Sequence, residues 1–595
     1  MDPGTALAVV SLSFQVFGGC IKGFVLLSEA HNLGQDASLL RTMLNLEEYR
    51  FTQWAKTVGL TGPDATLNPR LNQTLAAELM GQLSLLLTTN KLKERYKLEL
   101  VPNRPTNVSH NDSENNPTVS QGILSHAVSQ EARGEILARA SFIQAKNHLP
   151  KRLWWASVDK KKFENLVQDV RAIVDGLWAL LDPLQQDEVT QMMRQVLSVV
   201  IQVSKDVSGL QDLQATLNNL QNGAGRNAAP LAVAAALKAA RIELQDDEKS
   251  EPPSVSMQQA IPMTLHSPPR TIKVHRNKDL APLQLDLLTS YVAKTSNPSV
   301  GTGLYSGKPV FVEYKTVSPK LKGKLMSRVK NLALLLSMPK DASFLTLRCL
   351  GFFEDGDRYA FVYAYPDESD DANATRPAAQ PVSLLDILRD PSALQPSVTV
   401  RLNVALHICR TLLTLHTAGW LHKDLRSENV LFFPSSAGST ISALLTRPYL
   451  TGFAFSRFDS PEAISEQPSA NPSHDIYRHP QALGEPSTSF SKQMDMYSLG
   501  AVMVEIAEWR PLKHIILKCV DVRNPAVNVP LSAIASVSQW LVREKVENGA
   551  ARFRMGDVFG RALATCFKGI GAVGDSDDEL LNLQQIVRDF ERCFI

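Results

Sequence analysis

Cysteine is scarce in this chain. Its six copies, Cys20, Cys349, Cys409, Cys519, Cys566 and Cys593, lie far apart, with no C-x-x-C pair and no His at zinc-ligand spacing. That excludes a disulfide-stapled secreted scaffold and a zinc-ribbon site, and it predicts free, mostly buried thiols in a reducing compartment. An excess of either charge is also missing, since 62 Lys and Arg stand against 60 Asp and Glu. No global field draws nucleic acid or an anionic membrane, so no nucleic-acid partner is expected and any charged partner must rest on local clusters. No basic residue precedes the first apolar stretch and no small-residue cleavage site follows it, so a secretory leader is not expected. Asp2 in place of Gly, and Cys593 third from the end, speak against the common lipidation signals.

What is present is enough apolar residue, 44% of 595, for two to four domains on a prior of ~150 residues each. From Thr5 to Leu27 the chain is nearly all apolar or small, and Leu7, Val10, Phe14, Phe17, Ile21 and Phe24 recur at spacings of three and four. This is one face of a helix. Further apolar residues off that stripe predict burial in a bundle or in lipid. At ~1.5 Å per residue the stretch spans roughly 34 Å, against a bilayer core of ~30 Å. Lys22 and Gln15 are the obstacles to insertion, and Gly18 and Gly19 are small residues through which such helices associate.

A second helix is expected after an Asp36 cap, with Leu40, Leu44, Phe51, Trp54 and Val58 on one face and Glu47 as a polar interruption, and a third from about Leu71 to Leu87. A polar loop covers about 101–128, helical pattern resumes through Ile136 and Phe142, and Leu149-Pro150 reads as a break. Lys151-Arg152-Leu153-Trp154-Trp155-Ala156-Ser157-Val158-Asp159-Lys160-Lys161-Lys162-Phe163-Glu164 opens a helix with Phe163, Leu166, Val170, Val174, Leu177 and Leu181 inward. Its Trp and Lys residues suit either an anionic patch or a packed core with a solvated helix start, and the second is favoured. The apolar first helix, the Trp54 helix and W-x-x-x-D-K-K-K-F-E followed by L-V-Q-D-V resemble the HeLo, or prion-inhibition-and-propagation, domain of fungal proteins. The resemblance implies an all-α bundle over about 1–240 whose N-terminal segment can be released into a membrane, as in fungal incompatibility and regulated cell death. The amyloid-forming tail that often follows such domains is not evident.

A charged and then proline-rich stretch, 241–278, reads as a linker. Beyond it, Leu421-His422-Lys423-Asp424-Leu425-Arg426-Ser427-Glu428-Asn429 has the H-x-D-x-x-x-x-N spacing in which the Asp takes a hydroxyl proton and the Asn holds a metal ion. Gly301-Thr302-Gly303 stands where a phosphate-covering loop is expected, and Lys315 ends a strand from Val310. A hairpin is expected at Leu347–Glu354 and Arg358–Tyr365, a helix at Val400–His416 burying Leu402, Leu406, Cys409 and Leu413, and a buried Asp495 opening a later helix. These motifs resemble the protein-kinase family over about 279–595 and imply an α+β bilobal fold with ATP contacted by Gly301, Gly303 and Lys315. Two ionic contacts of that family are missing. Gly452, in Thr451-Gly452-Phe453, replaces the Asp that holds Mg²⁺, and no Asp or Glu occurs from Lys315 to Lys340, so Lys315 has no evident carboxylate partner. Gln481 likewise stands where the family has a Glu.

The resemblances together imply a degraded kinase-like domain joined to a helical effector, similar in architecture to mixed-lineage-kinase-like necroptosis proteins. Asp424 and Asn429 would be vestigial, no metal would be held, and ATP would bind weakly with little Mg²⁺ dependence. Leu7, Val10, Phe14, Phe17, Ile21 and Phe24 would meet membrane lipid. The expected partners are lipids on activation, the helical bundle against the kinase-like domain, and further copies of the chain. The expected location is cytoplasmic at rest and the plasma membrane on activation. A kinase of weak or atypical activity and a non-lytic signalling adaptor are the competing readings.

Overall fold

Trp54 and Phe51 sit at the centre of the first half because helical spacing over Ser38–Thr57 turns them, with Leu40, Leu44 and the following Val58, to one side, where all five are buried. The computed structural model describes, with short interruptions, residues 16–27, 38–102, 153–250 and 282–594. It divides into two units, 1–239 and 240–595. The first is a helical region comprising α1 (residues 16–24), α2 (Ser38–Thr57), α3 (Gln73–Leu86), α4 (Thr89–Tyr96), β1 (Glu99–Pro102), β2 (Leu153–Ser157), α5 (Lys160–Trp178), α6 (Pro183–Val203) and α7 (Val207–Gln221). The boundary between the units falls in α8 (Ala229–Ser250).

The N-terminal stripe packs where its pattern directs it. Phe17, Ile21 and Phe24 are buried, and the Phe51 ring lies 5.5 Å from Phe17, 5.9 Å from Phe24 and 6.1 Å from Trp54. Leu7, Val10, Phe14 and the Asp36 cap lie outside the described residues, as do Ile136 and Phe142. Two glycines let α1 approach closely. A Cβ on Gly23 would lie 2.4 Å from Leu87 Cβ, which leaves no room for a side chain, and one on Gly19 would lie 2.4 Å from Ser84 Oγ and require that hydroxyl to turn away. On α5, the inward set Phe163, Leu166, Val170, Val174 and Leu177 is buried, with Leu181 just beyond the helix. α6 starts at a capping box, with Asp182 accepting from the Gln185 backbone, Gln185 returning a bond to Asp182 N, and Pro183 preset for the first turn.

The expectation of an all-α domain needs one correction. Leu153–Ser157 is not the lead-in to a helix but a strand, paired antiparallel with Glu99–Pro102 in the register Leu100↔Trp155 and Val101↔Trp154. Adjacent aromatic residues favour extended backbone, and a partner strand 50 residues away satisfies the main-chain groups.

Glu47, the polar interruption of the α2 face, is satisfied within the core. It is fully buried and accepts from Arg50 Nη1 at 2.8 Å and Arg171 Nε at 2.8 Å, while Arg50 Nη2 reaches Asp175 at 2.5 Å. The indole of Trp178 donates to the Arg50 carbonyl at 3.2 Å, beneath its guanidinium.

The second unit joins antiparallel sheets to helices. Five strands, β3 (Leu288–Lys294), β4 (Asn297–Tyr305), β5 (Lys308–Thr316), β6 (Cys349–Asp355) and β7 (Arg358–Ala364), form an antiparallel sheet in the order β3-β4-β5-β7-β6. α9 (Lys322–Ser337) lies against β6. Along β5 the side chains alternate, so Val310, Val312 and Tyr314 pack with Phe353, Ala360 and Val362 on one face. Phe311, Glu313 and Lys315 then share the other face, and all three are buried. There follow β8 (Val382–Ser383), α10 (Leu384–Arg389), α11 (Val398–Thr417), β9 (Trp420–Leu421), β10 (Val430–Phe432), β11 (Tyr449–Leu450), β12 (Arg457–Phe458), α12 (Lys492–Glu508), α13 (Asp557–Cys566) and α14 (Ser576–Glu591). Leu402, Leu406 and Cys409 of α11 are buried, and Leu412 rather than Leu413 completes the set. Among the described residues α11 is the one helix long and apolar enough to cross a membrane, and 61% of its apolar window is buried in the protein, where it packs on α14.

Candidate functional site

The stretch from β9 to β10 is held from below by Asp495, fully buried on α12. Its carboxylate accepts the backbone N–H groups of His422 at 2.8 Å and Lys423 at 2.9 Å, with His416 Nε2 at 3.2 Å. His422 Nε2 donates to the Thr451 carbonyl at 3.0 Å and Nδ1 receives the Asp424 N–H at 3.3 Å, so both ring nitrogens are occupied. Burial foremost holds its pKa below the usual value, and the ring stays neutral. Lys423 takes φ +69°, an uncommon conformation for a residue with a side chain.

Both carboxylate oxygens of Asp424 are engaged. Oδ1 pairs with the Arg426 guanidinium, which also reaches Glu428 at 3.2 Å, and Oδ2 accepts Asn429 Nδ2 at 3.1 Å. The same Asn429 nitrogen donates to the Asp424 carbonyl at 2.7 Å. Asn429 thus turns back onto Asp424, and its side chain fills the volume beside Gly452. There φ is +84°, and a Cβ would fall 2.1 Å from Asn429 Nδ2. Only glycine fits that backbone and that space.

The turn carrying Gly452 is fastened to β5 and α9 by charged side chains acting on its backbone. Glu313 Oε2 accepts Gly452 N–H at 3.2 Å and Oε1 accepts Ala454 N–H at 3.0 Å. Lys315 Nζ donates to the Ala454 carbonyl at 2.7 Å, with the Phe455 ring centroid 5.2 Å away, and Arg328 Nη2 donates to the carbonyls of Phe455 at 3.1 Å and Ser456 at 2.8 Å. Lys315, expected to be without an evident partner, therefore has a backbone one. Burial pushes the Glu313 carboxyl up to about 7 against the pull of the two amides.

Gly301 and Gly303 do not form the expected phosphate-covering loop. They lie within β4, opposite Val312 and Val310, while the turn to β5 is made at Ser306 and Gly307. Their lack of side chains serves packing across the sheet: a Cβ on Gly301 would meet the Tyr291 ring at 2.6 Å, and one on Gly303 the Thr289 carbonyl at 3.1 Å. Gly301 still borders a cavity of about 310 Å³, whose polar lining includes Lys294, Thr302, Gln380, Glu428 and Asn429, and whose apolar walls include Val300, Phe311 and Leu431. Lys294 bonds Asp386 at 2.6 Å at the start of α10. Burial raises the Glu428 carboxyl, but His474, Arg426 and Lys294 outweigh it and bring it to about 2.

Sequence reasoning brought Lys315, Asp424, Asn429 and Gly452 to one place and missed Glu313, Arg328 and Arg426. The signal for Glu313 was available, as a carboxylate inside the apolar run V-F-V-E-Y-K two residues before Lys315. Among known families, residues 4–213 match HeLo, described as prion-inhibition and propagation, which is about a third of the chain. No curated protein matches the chain.

Proposed function

We propose that the chain is a regulated cell-death effector of the fungal incompatibility type, in which a HeLo-like helical domain is controlled by a kinase-like domain that no longer transfers phosphoryl groups. The observation that carries the second part is the state of Asp424. A base must be open to the hydroxyl proton it takes, and here Arg426 and Asn429 occupy both of its oxygens while Gly452 offers no carboxylate to a metal. ATP binds weakly at most, in the cavity beside Gly301 and Asn429, with little dependence on Mg²⁺. The domain then works through a conformational difference between two states rather than through turnover.

The first part is supported by the HeLo match and by the stripe of α1. Phe17, Ile21 and Phe24 are buried against Phe51 at rest, and the same residues would face lipid after release. On this reading the chain rests in the cytoplasm, moves to the plasma membrane on activation, and associates there with further copies of itself. The test is inducible expression of residues 1–240 beside the full chain, scored for viability and membrane localisation. The fragment should kill and the full chain should not, and Phe17→Asp should abolish killing by the fragment. A harmless fragment that is folded, or equal killing by wild type and Phe17→Asp, would replace this reading with that of an adaptor. Mg²⁺-dependent phosphorylation lost in Asp424→Ala would replace it with that of a kinase.

A further inference from the structure

We propose that the surface around the C-terminal end of α12 docks on an anionic membrane, with Arg389 and Arg510 meeting lipid phosphates and Phe553 entering the headgroup layer. The inference does not depend on release of α1, because every residue in it belongs to the second unit. Three stretches of chain are drawn to that helix end. Arg401 of α11 donates to the carbonyls of Ile506 at 3.3 Å and Ala507 at 2.8 Å. Glu508, the last residue of α12, takes Lys545 at 2.9 Å and, from the short helix Ala550–Met555, Arg554 at 3.2 Å. Arg389, which ends α10, lies within electrostatic reach of Glu505.

The exposed charge gathered there is mainly positive. His514 has Arg389, Lys513 and Arg510 as charged neighbours. Arg389, Arg510 and His514 are exposed, and none of the three makes an ion pair among the described residues. The nearby carboxylates are spent elsewhere. Glu505 is fully buried, Glu508 is held by two cations with its side chain 10% exposed, and Asp390 turns onto Ser392, accepting its N–H at 2.9 Å and its hydroxyl at 2.6 Å. Two large apolar side chains stand out of the same region. Phe553 is 93% exposed between Arg552 and Arg554, and Leu394, in the loop from Arg389 to α11, is 79% exposed. A lone exposed apolar side chain needs no partner. An exposed ring flanked by cations, beside arginines without carboxylates, is the combination that a bilayer interface satisfies in full, giving apolar burial to the ring and phosphate to the guanidinium groups. A soluble acidic segment answers the arginines alone, so the membrane is the occupant favoured.

The experiment is sedimentation of the full chain with vesicles of phosphatidylcholine, alone or mixed with phosphatidylserine, at low and at high salt. Binding should need the anionic lipid and fall as salt rises. Arg389→Gln with Arg510→Gln should weaken it roughly 30-fold, the product of two headgroup contacts, and Phe553→Ser roughly fivefold. Lys308→Gln with Arg561→Gln removes the same charge from exposed positions elsewhere and should bind as wild type does. Amide exchange in the presence of the anionic vesicles should slow at 510–516 and 550–555. Binding unchanged without Arg389 and Arg510, an equal loss in the Lys308 and Arg561 variant, or slowing confined to α1 would overturn the proposal. So would a lack of vesicle binding, including the case in which a poly-glutamate peptide binds instead. The effector reading is decided separately, by killing with residues 1–240, which contain none of these side chains. If Arg389→Gln lowers the thermal stability of the chain, Arg510→Gln with Phe553→Ser decides in its place, with a loss of roughly 25-fold expected.

Discussion

Glu47 in the first unit and Glu313 in the second are both buried carboxylates, and they are neutralised in different ways. Glu47 receives two guanidinium groups, from Arg50 three residues on and from Arg171 on α5. Glu313 receives the backbone amides of Gly452 and Ala454. An ion cluster of the first kind loses heavily when one member is removed, because a full charge is stranded. A carboxylate held by amides can instead shed its charge by binding a proton. The first arrangement ties α2 to α5 permanently, and the second responds to its surroundings.

The comparison breaks most readily at Arg50. Arg50→Met leaves Glu47 with one cation and Asp175 with none, and should cost about 3–5 kcal/mol, read from urea unfolding of the full chain with exchange in α2 as the local reporter. A loss under about 1 kcal/mol would mean that Glu47 does not depend on its cations, and the distinction would fall.

A smaller effect is expected at a second amide-and-hydroxyl site. Glu505, buried on α12, accepts Tyr477 Oη at 2.7 Å and Leu512 N–H at 2.7 Å, and burial raises it to about 7. Tyr477→Phe should cost about 1–2 kcal/mol. Glu579, also raised to about 7, foremost by burial, has the same sign as Glu505 and Glu313. Each binds a proton in the folded state that the unfolded chain lacks between pH 4.5 and 7, so stability of the second unit should rise as pH falls from 8 to 7. His407, lowered to about 4 mainly by burial, and His422, His479 and His514, also lowered foremost by burial, oppose this trend as pH falls through their ordinary 6.5, and Glu428, brought to about 2, opposes it below its ordinary 4.5. Thermal unfolding followed across that range checks the direction, and Tyr477→Phe should alter its slope.

The smallest effect sharpens the same contrast at the surface. Arg95 pairs with Asp169 at 2.8 Å, with the two side chains 60% and 36% exposed. Arg95→Ala should cost only about 0.2–1 kcal/mol, measured in the same urea titration, although the chemistry is that of Arg50 with Asp175.

The helices were legible because burial imposes a period. Phe17, Ile21 and Phe24, the Trp54 face and the α5 face could all be read from spacing, and all are buried. Glu47 was legible only as an interruption, since Arg171, which explains it, is 124 residues away. Gly301 and Gly303 misled because a G-x-G spacing looks the same whether the glycines admit a phosphate or a tyrosine ring from the neighbouring strand. The Leu153–Ser157 strand was hidden because its partner lies across a long polar stretch. The spacing of Asp424 and Asn429 could be read directly. What could not be read was that Asn429 bonds Asp424 rather than pointing away, because that depends on the shape of the turn at Gly452.

That last dependence governs what position 452 can accept. With Asn429 folded into the volume beside it, placing a carboxylate there does not take one step. An Asp at 452 would place its first side-chain atom 2.1 Å from Asn429 Nδ2, on a backbone at φ +84°. Both side chains cannot keep their present positions, so a carboxylate at 452 must first dislodge Asn429 from Asp424. Gly452 and Asn429 thus form an interlock in which each position sets what the other can hold.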